Sequence, residues 1–135
     1  MDLMESLKVS AAGMRVQGER LRVVAENLAN ADSVSEVPGG DPYRRKTISF
    51  KNALDRELGL ETVQVNKVGA DQSDFRMKYD PSNPAADDKG YVKLPNVNSL
   101  IEMTDMREAQ RSYEANLRAI EVARTMLQRT IDLLR

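Results

Sequence analysis

The stretch Asn98 to Arg135, NSLIEMTDMREAQRSYEANLRAIEVARTMLQRTIDLLR, decides the fold, because it carries one apolar period without a break. Met106, Tyr113, Ile120, Leu127 and Leu134 recur every seventh residue. Ala109, Ala123 and Thr130 form a second row three residues further on, interrupted by Asn116. Met103, Leu117 and Ile131 widen the stripe on the other side, with Gln110 and Arg124 at the alternate places of their row. A seven-residue repeat kept up this long predicts a helix packed lengthwise against another helix. No proline follows Pro95 and no glycine follows Gly90, so no residue there breaks it. From Ser99 onward the helix would extend roughly 55 Å at about 1.5 Å per residue, longer than a compact domain of this size needs.

The polar faces suit the same helix. Glu114 and Arg118 stand four apart, while Glu108 with Arg111 and Glu121 with Arg124 stand three apart; each pair contributes about 0.2–0.5 kcal/mol. Acids come early (Glu102, Asp105, Glu108) and arginines late (Arg124, Arg129, Arg135), which complements the helix dipole. Ser99 with Glu102 reads as a capping box.

Working outward, the 135 residues amount to one domain's worth of chain, with aromatics at only 4%, no Trp and two Phe. Stability therefore has to come from aliphatic helix packing or from partners. The formal net charge is −1, from 20 basic and 21 acidic residues mixed along the chain, which leaves no polycationic surface for nucleic acid. Cysteine and histidine are both absent. That excludes disulfides and thiol chemistry, and removes the commonest general base and metal ligand. The first residues are polar, and no apolar run of signal-peptide or membrane-span length follows, so neither a cleaved signal nor membrane insertion is expected.

From Leu3 to about Ala29 the seven-residue beat returns. Leu7, Met14, Leu21 and Leu28 form one row; Met4, Ala11, Gly18 and Ala25 form the adjacent, mostly smaller one. Large next to small lets a neighbouring backbone come close. Gly13 and Gly18 each cost roughly 1 kcal/mol against Ala inside a helix, so they mark close approach or a bend. Arg15 with Glu19 and Arg22 with Glu26 supply spaced pairs on the polar side.

The fold class that follows is mainly α with a small β region. The terminal segments, 1–31 and 99–135, form a discontinuous coiled-coil domain with a helical hairpin, and 32–98 forms an irregular or β-hairpin middle. Two helices folded on each other leave much of each stripe in water, and such surface marks contacts with other chains. A closed oligomer and an open helical polymer both satisfy it.

The middle, Asp32 to Val97, holds all five prolines and five of the seven glycines. Pro38-Gly39-Gly40-Asp41-Pro42 reads as a loop. Tyr43 to Phe50 reads as an exposed strand, with Arg44-Arg45-Lys46 as a solvated strand face and not a phosphate site. Lys51 to Leu60 is ambiguous, helix-like through Leu54 and Leu58 and interrupted at Gly59. Thr62 to Val68 and Phe75 to Tyr79 are better strands, and with Gly69 to Ser73 between them they could pair as a hairpin. The carboxylate-rich segment Asp80 to Val92 lacks the alternating ligands, central glycine and distant glutamate of an EF-hand, and reads as a proline-punctuated loop. No cofactor and no metal is expected.

Several segments carry a resemblance, Thr125-Met126-Leu127 among them. Asn27-Leu28-Ala29-Asn30-Ala31-Asp32-Ser33, closing the first helix, fits a turn in which Asn and Asp tolerate left-handed backbone and bond to freed amides and carbonyls. It is similar to the signature of bacterial flagellar axial proteins, the rod and hook family. Asp80, Pro81, Asn83, Pro84, Ala86, Asp87, Gly90, Tyr91, Val92, Pro95, Asn96, Val97 and Asn98 resemble a proximal rod member of that family, as do Glu102-Met103, Pro42-Tyr43-Arg44-Arg45-Lys46 and Tyr113-Glu114-Ala115-Asn116. Lys51 to Val68 is the least family-like portion.

The resemblance implies a non-enzymatic structural protein of the basal-body rod, in the periplasmic space of the cell envelope, exported by the flagellar type III apparatus without a cleaved signal. It implies terminal helices packed as the inner layer of a hollow tube. Neighbours would be other copies of the chain, proximal rod proteins of the FlgB, FlgF and FliE types and a distal rod protein of the FlgG type. Leu7, Met14, Leu21, Leu28, Met106, Tyr113, Ile120, Leu127 and Leu134 would carry the contacts, with Asn116 fixing register or standing exposed at the stripe edge. The alternatives are a soluble coiled-coil adaptor or flagellar export chaperone, which would use the same stripes yet stay a small oligomer, and an enzyme working with carboxylates and lysines alone.

Overall fold

A computed structural model describes residues 2–56 and 59–134; Leu58 and Arg135, which entered the helix readings above, lie outside them. The element order is α1 (Leu3–Ala29), β1 (Lys46–Asp55), β2 (Leu60–Ala70), β3 (Arg76–Tyr79), β4 (Tyr91–Leu94) and α2 (Ser99–Leu133). The terminal segments are the two long helices, packed together, with small β-hairpins between them, as the heptads require.

Both helices are capped by side chains. At α1 the Asp2 N–H donates to Glu5 Oε2 at 2.7 Å, and the Leu3 N–H donates to Asp2 Oδ1 at 2.6 Å. At α2 the cap is Asn98, not the expected Ser99: its Oδ1 accepts from the N–H groups of Leu100 and Ile101 at 3.1 and 3.4 Å. Glu102 does not turn back to complete a box, because its carboxylate is engaged elsewhere. At the end of α1 the Glu26 carbonyl accepts both the Asn30 N–H, at 3.2 Å, and the Asn30 Nδ2, at 2.9 Å. Among the described residues only glycines take positive φ, so the Asn-rich turn closes without the left-handed backbone expected of it.

The chain divides into two compact units through which both helices run. The first comprises described residues within 1–21, 48–67 and 107–135. Here α1 and α2 lie antiparallel. A Cβ placed on Gly13 would stand 2.9 Å from Asn116 Nδ2, and further along Arg20 meets Glu108 at 3.5 Å. Along α2, Ala109 and Ala123 are buried and Tyr113, Asn116, Ile120 and Leu127 are half-buried, while Thr130 and Leu134 of the same rows are exposed. On α1 the buried positions are Ser10, Ala12 and Val16, off the leucine row. The expected pairs within α2 do not form: Glu108 turns to Arg20, and Glu114–Arg118 and Glu121–Arg124 make no ion pair among the described residues.

In this unit Lys51 to Asp55 continues β1, and the helical reading fails. Leu54 remains 62% exposed, so no apolar face was available to stabilise a helix there. Gly59, at φ 64° with its N–H bonded to the Asp55 carbonyl at 2.8 Å, supplies the left-handed position that a tight hairpin turn needs.

The second unit comprises residues 22–47 and 68–106, with a core of Val23, Val24, Ala31, Ala85, Val92 and Val97. The expected hairpin of Thr62–Val68 with Phe75–Tyr79 is not made. β2 pairs with β1, and β3 pairs antiparallel with β4, from Arg76 opposite Leu94 to Tyr79 opposite Tyr91. The Gly69–Ser73 connector cannot close the expected pair, because the Asp71 N–H is bound to the Arg45 carbonyl at 2.8 Å. The 80–90 loop closes β3 on β4 instead, through the Asp80 N–H on the Gly90 carbonyl at 2.9 Å. Gly90 has φ 83°, and a Cβ there would meet the Tyr79 ring at 2.9 Å; Tyr79 and Tyr91 then pack edge to face, centroids 5.3 Å apart.

Substitutions at the two α1 glycines should separate their roles. Gly18→Ala meets nothing within 4 Å and should raise the stability of the purified chain by roughly 0.5–1 kcal/mol, read as a higher thermal midpoint by circular dichroism. Gly13→Ala forces Asn116 to give up its 2.9 Å bond to the Ser112 carbonyl and should bring no such gain.

Candidate assembly surface and the buried anchor

In the second unit the polar groups of the motif segments converge on one carboxylate. Glu102 is 0% exposed. Its Oε1 accepts from Arg45 Nε at 2.5 Å, and its Oε2 from Asn27 Nδ2 at 3.1 Å. Asn27, itself 1% exposed, also donates to the Lys46 carbonyl at 2.9 Å, and accepts on Oδ1 from the Tyr43 hydroxyl and the Lys46 N–H, both at 2.8 Å. Both donors and both acceptor sites of its amide are thereby used. The Arg45 guanidinium also reaches Asp71 at 3.5 Å and Asp105 at 4.0 Å. Burial alone would lower the Arg45 pKa, but the hydrogen bond and charge of Glu102, with the charges of Asp71 and Asp105, outweigh it and raise the pKa. Asp71 is held below the usual carboxylate range, first by the backbone N–H of Ser73 and then by its hydroxyl, with Arg45 assisting.

Arg44-Arg45-Lys46 is therefore not a solvated strand face. Arg44 donates to the Asp71 and Ser73 carbonyls and lies 4.2 Å over the Phe75 ring; Lys46 pairs with Glu26. Asn96 accepts the Arg45 N–H at 2.8 Å and donates to Asp71 and Ser73. Pro95 is buried, and its carbonyl accepts from Arg76 Nε at 3.1 Å. The carboxylate-rich loop spends its oxygens within itself: Asp87 Oδ1 accepts from the N–H groups of Lys89 and Tyr91, Asn83 Oδ1 from that of Ala85, and Asp80 Oδ1 from the Ser82 hydroxyl. Pro81 packs beneath Gly90 and Pro84 is exposed.

The expected contact residues fall in two groups. Met106, Tyr113, Asn116, Ile120 and Leu127 are half-buried along one face of α2, whereas Leu134 is 84% exposed. Leu7, Met14, Leu21 and Leu28 are half-buried, and beside them Met4, Ala11 and Ala25 are exposed. Ala11, with Lys8, Arg15 and Val16, lines a cavity whose other wall is Asp55 and Thr62 to Val65 of the β1–β2 hairpin. A further stripe was missed in the sequence: Ala115, Ala119, Val122, Met126 and Leu133 are all exposed on α2, and the 4-3-4 spacing of the first four was the available signal. Leu3 and Ser6 of α1 flank it, opening a shallow apolar cleft with Ala119, Val122, Ala123 and Met126. Among the described residues no group of acids could hold a metal ion, and no helix is long and apolar enough to cross a membrane. The arrangement leaves apolar helix faces exposed on both helices.

Comparison with known proteins agrees in kind. The family model described as flagellar basal body rod FlgEFG protein C-terminal matches residues 88–133. The flagellar basal-body rod protein FlgC of Agrobacterium fabrum is 56% identical over 128 residues, covering 95% of this chain and 92% of that protein. Those of Aquifex aeolicus and Salmonella typhimurium are 40% and 39% identical, with 97% and 98% of their lengths covered and 98% of this chain in each case.

Glu102→Ala leaves Arg45 and Asn27 facing a cavity and should cost about 3 kcal/mol, within the range for removing one member of a buried pair, read as a lower denaturation midpoint in urea. Tyr43 provides a pH test. Burial first, then the charges of Glu26 and Glu102, push its phenol up to about 12 from 10.0. The unfolded chain releases that proton first, so the stability it secures is complete below pH 10 and is lost as pH rises towards 12. Tyr43→Phe should flatten that part of the stability curve.

Proposed function

The chain belongs to the FlgC family of flagellar basal-body rod proteins and is a structural subunit of the rod, and from that premise we propose that it polymerises through its terminal helices into the hollow axial tube. In that tube it transmits torque and lines part of the export channel. Its place is the flagellar basal body and its associates are other rod proteins. The specific neighbours proposed are further copies of itself, proximal rod proteins of the FlgB, FlgF and FliE types and the FlgG-type distal rod. The chain would reach the cell envelope through the flagellar type III apparatus.

The observation that carries this reading is the apolar surface left on the helices. Leu100 and Leu133 are 74% and 87% exposed, and Ile101, Val122, Met126 and Ile131 each more than half. In a dilute monomer such faces meet water, at a cost of about 25 cal/mol per Å² of apolar area; in a tube, neighbouring helices cover them. The adaptor and chaperone readings use the same faces but have no support from the named relatives.

Leu127→Asp or Ile120→Asp, expressed in a strain lacking the native gene, should abolish rod assembly and swimming, because a charge forced into the helix layer has no partner. Glu61→Lys, on an exposed position of β2, should leave swimming intact. Normal swimming with Leu127→Asp would contradict the proposal.

A further inference from the structure

We propose that the cleft between α1 and β2 receives the connector that follows α1 in a second copy of this chain, Asp32 to Val37, as a third strand on the free edge of β2. Val34 would lie over Ala11, with Asp32 and Glu36 meeting Lys8 and Arg15. The inference rests on the rod reading and adds to it a contact made by a strand edge and a connector, apart from any packing of the long helices on one another.

The cleft holds about 600 Å³ and lies within the first unit. One wall is a face of α1, with Lys8, Ala11, Arg15 and Val16; the other is Thr62 to Val65. Successive residues of a strand point to opposite faces of its sheet. Four in a row therefore reach one cleft through the edge of the strand. Among the described residues β2 has β1 alone beside it, and in an antiparallel pair every second residue directs its N–H and C=O away from the partner. The backbone of β2 thus presents unpaired donors and acceptors to the cleft, the arrangement that takes up an added strand.

The connector has what that edge lacks. The N–H and C=O groups of Val34, Ser35 and Glu36 make no hydrogen bond among the described residues, and Val34 and Val37 are 40% and 63% exposed. In an extended run Asp32, Val34 and Glu36 share one side, with the two acids four residues or about 13 Å apart. On α1, Lys8 and Arg15 stand seven residues or about 10 Å apart and bracket the small Ala11. All four charged side chains are exposed and in no ion pair among the described residues. Glu19 and Asp55 also line the cleft, but both already have partners, so the two cations decide what it attracts. A valine between two acids then matches an alanine between two cations: the side chain fills the hollow while both charge pairs close. Because seat and strand are different segments, the contact is head-to-tail and can repeat along a helical polymer.

The test uses the full chain in cells lacking the native gene. Asp32→Lys/Glu36→Lys and Lys8→Glu/Arg15→Glu alter exposed residues, and each pair should preserve helix content while reducing swarm diameter by about half. All four changes together should return it to within about 20% of wild type, since the charge pairs are re-formed with their signs exchanged. A second measurement exploits the absence of cysteine: Ala11→Cys chains and Val34→Cys chains, co-expressed and treated with a short bis-maleimide in isolated basal bodies, should give a dimer linked through those two positions. Failure of the combined change to restore swarming overturns the proposal, as does a link that forms only within a chain carrying both cysteines, or no link in basal bodies that contain both chains; the rod reading then stands. Basal bodies that assemble without the chain at all would overturn both.

Discussion

A carboxylate withdrawn entirely from water is the constraint on which the second unit is built. Glu102 is fully buried, and an ionised group in that position is tolerable only if its oxygens are matched by donors on all sides. Arg45 and Asn27 supply them from two distant parts of the sequence. Such a network adds little net stability over an apolar core of the same shape. Its effect is selective: sliding α2 by a turn would leave the carboxylate buried alone, at a cost of several kcal/mol. The Asn-rich end of α1, the Tyr43–Lys46 segment and the start of α2 are therefore held in one register. Asn96 and Asp71 complete the set by fixing the backbone on either side of Arg45.

The helices obey a different logic. Packing between α1 and α2 in the first unit is made with small groups: Gly13 receives Asn116, and Ala109 and Ala123 are wholly or nearly buried. Small residues bring the backbones close but bury little area, and the large side chains are displaced to the flanks. Two faces remain over, the Met4–Leu21 stripe of α1 and the Ala115–Leu133 stripe of α2. A fold meant to stand alone would place its methionines and leucines inside and its alanines outside. The reverse arrangement suits a subunit whose packing is completed by neighbours.

How far the sequence could be read follows from the same contrast. Helices with an unbroken heptad were legible to within a residue or two, because periodicity over many turns outweighs local ambiguity. Along α2 burial follows that period from Ala109 to Leu127 and stops there, with Thr130 and Leu134 exposed. Strand pairing was not: whether β2 joins β1 or β3 depends on Arg45 capturing Asp71, a contact between residues far apart in the chain. Arg44-Arg45-Lys46 looked like a solvated face because its acceptors, Glu102 and Glu26, come from helices remote in sequence. The cap of α2 was misplaced by one residue, since Asn98 and Ser99 are both good caps and only the burial of Glu102 decides between them. Nor could the heptads alone say which row of α1 faces inward, as Val9, Val16 and Val23 recur every seventh residue just as the leucines do.

The central claim is that the helices carry apolar faces which only neighbouring subunits can cover. An electron cryomicroscopy map of the intact basal body, at a resolution that places side chains, tests it most directly. The account expects the Met4–Leu21 face of α1 and the Val122–Met126 face of α2 to lie in contact with helices of adjacent subunits, out of water. A map in which this chain is present but both faces line solvent would contradict it.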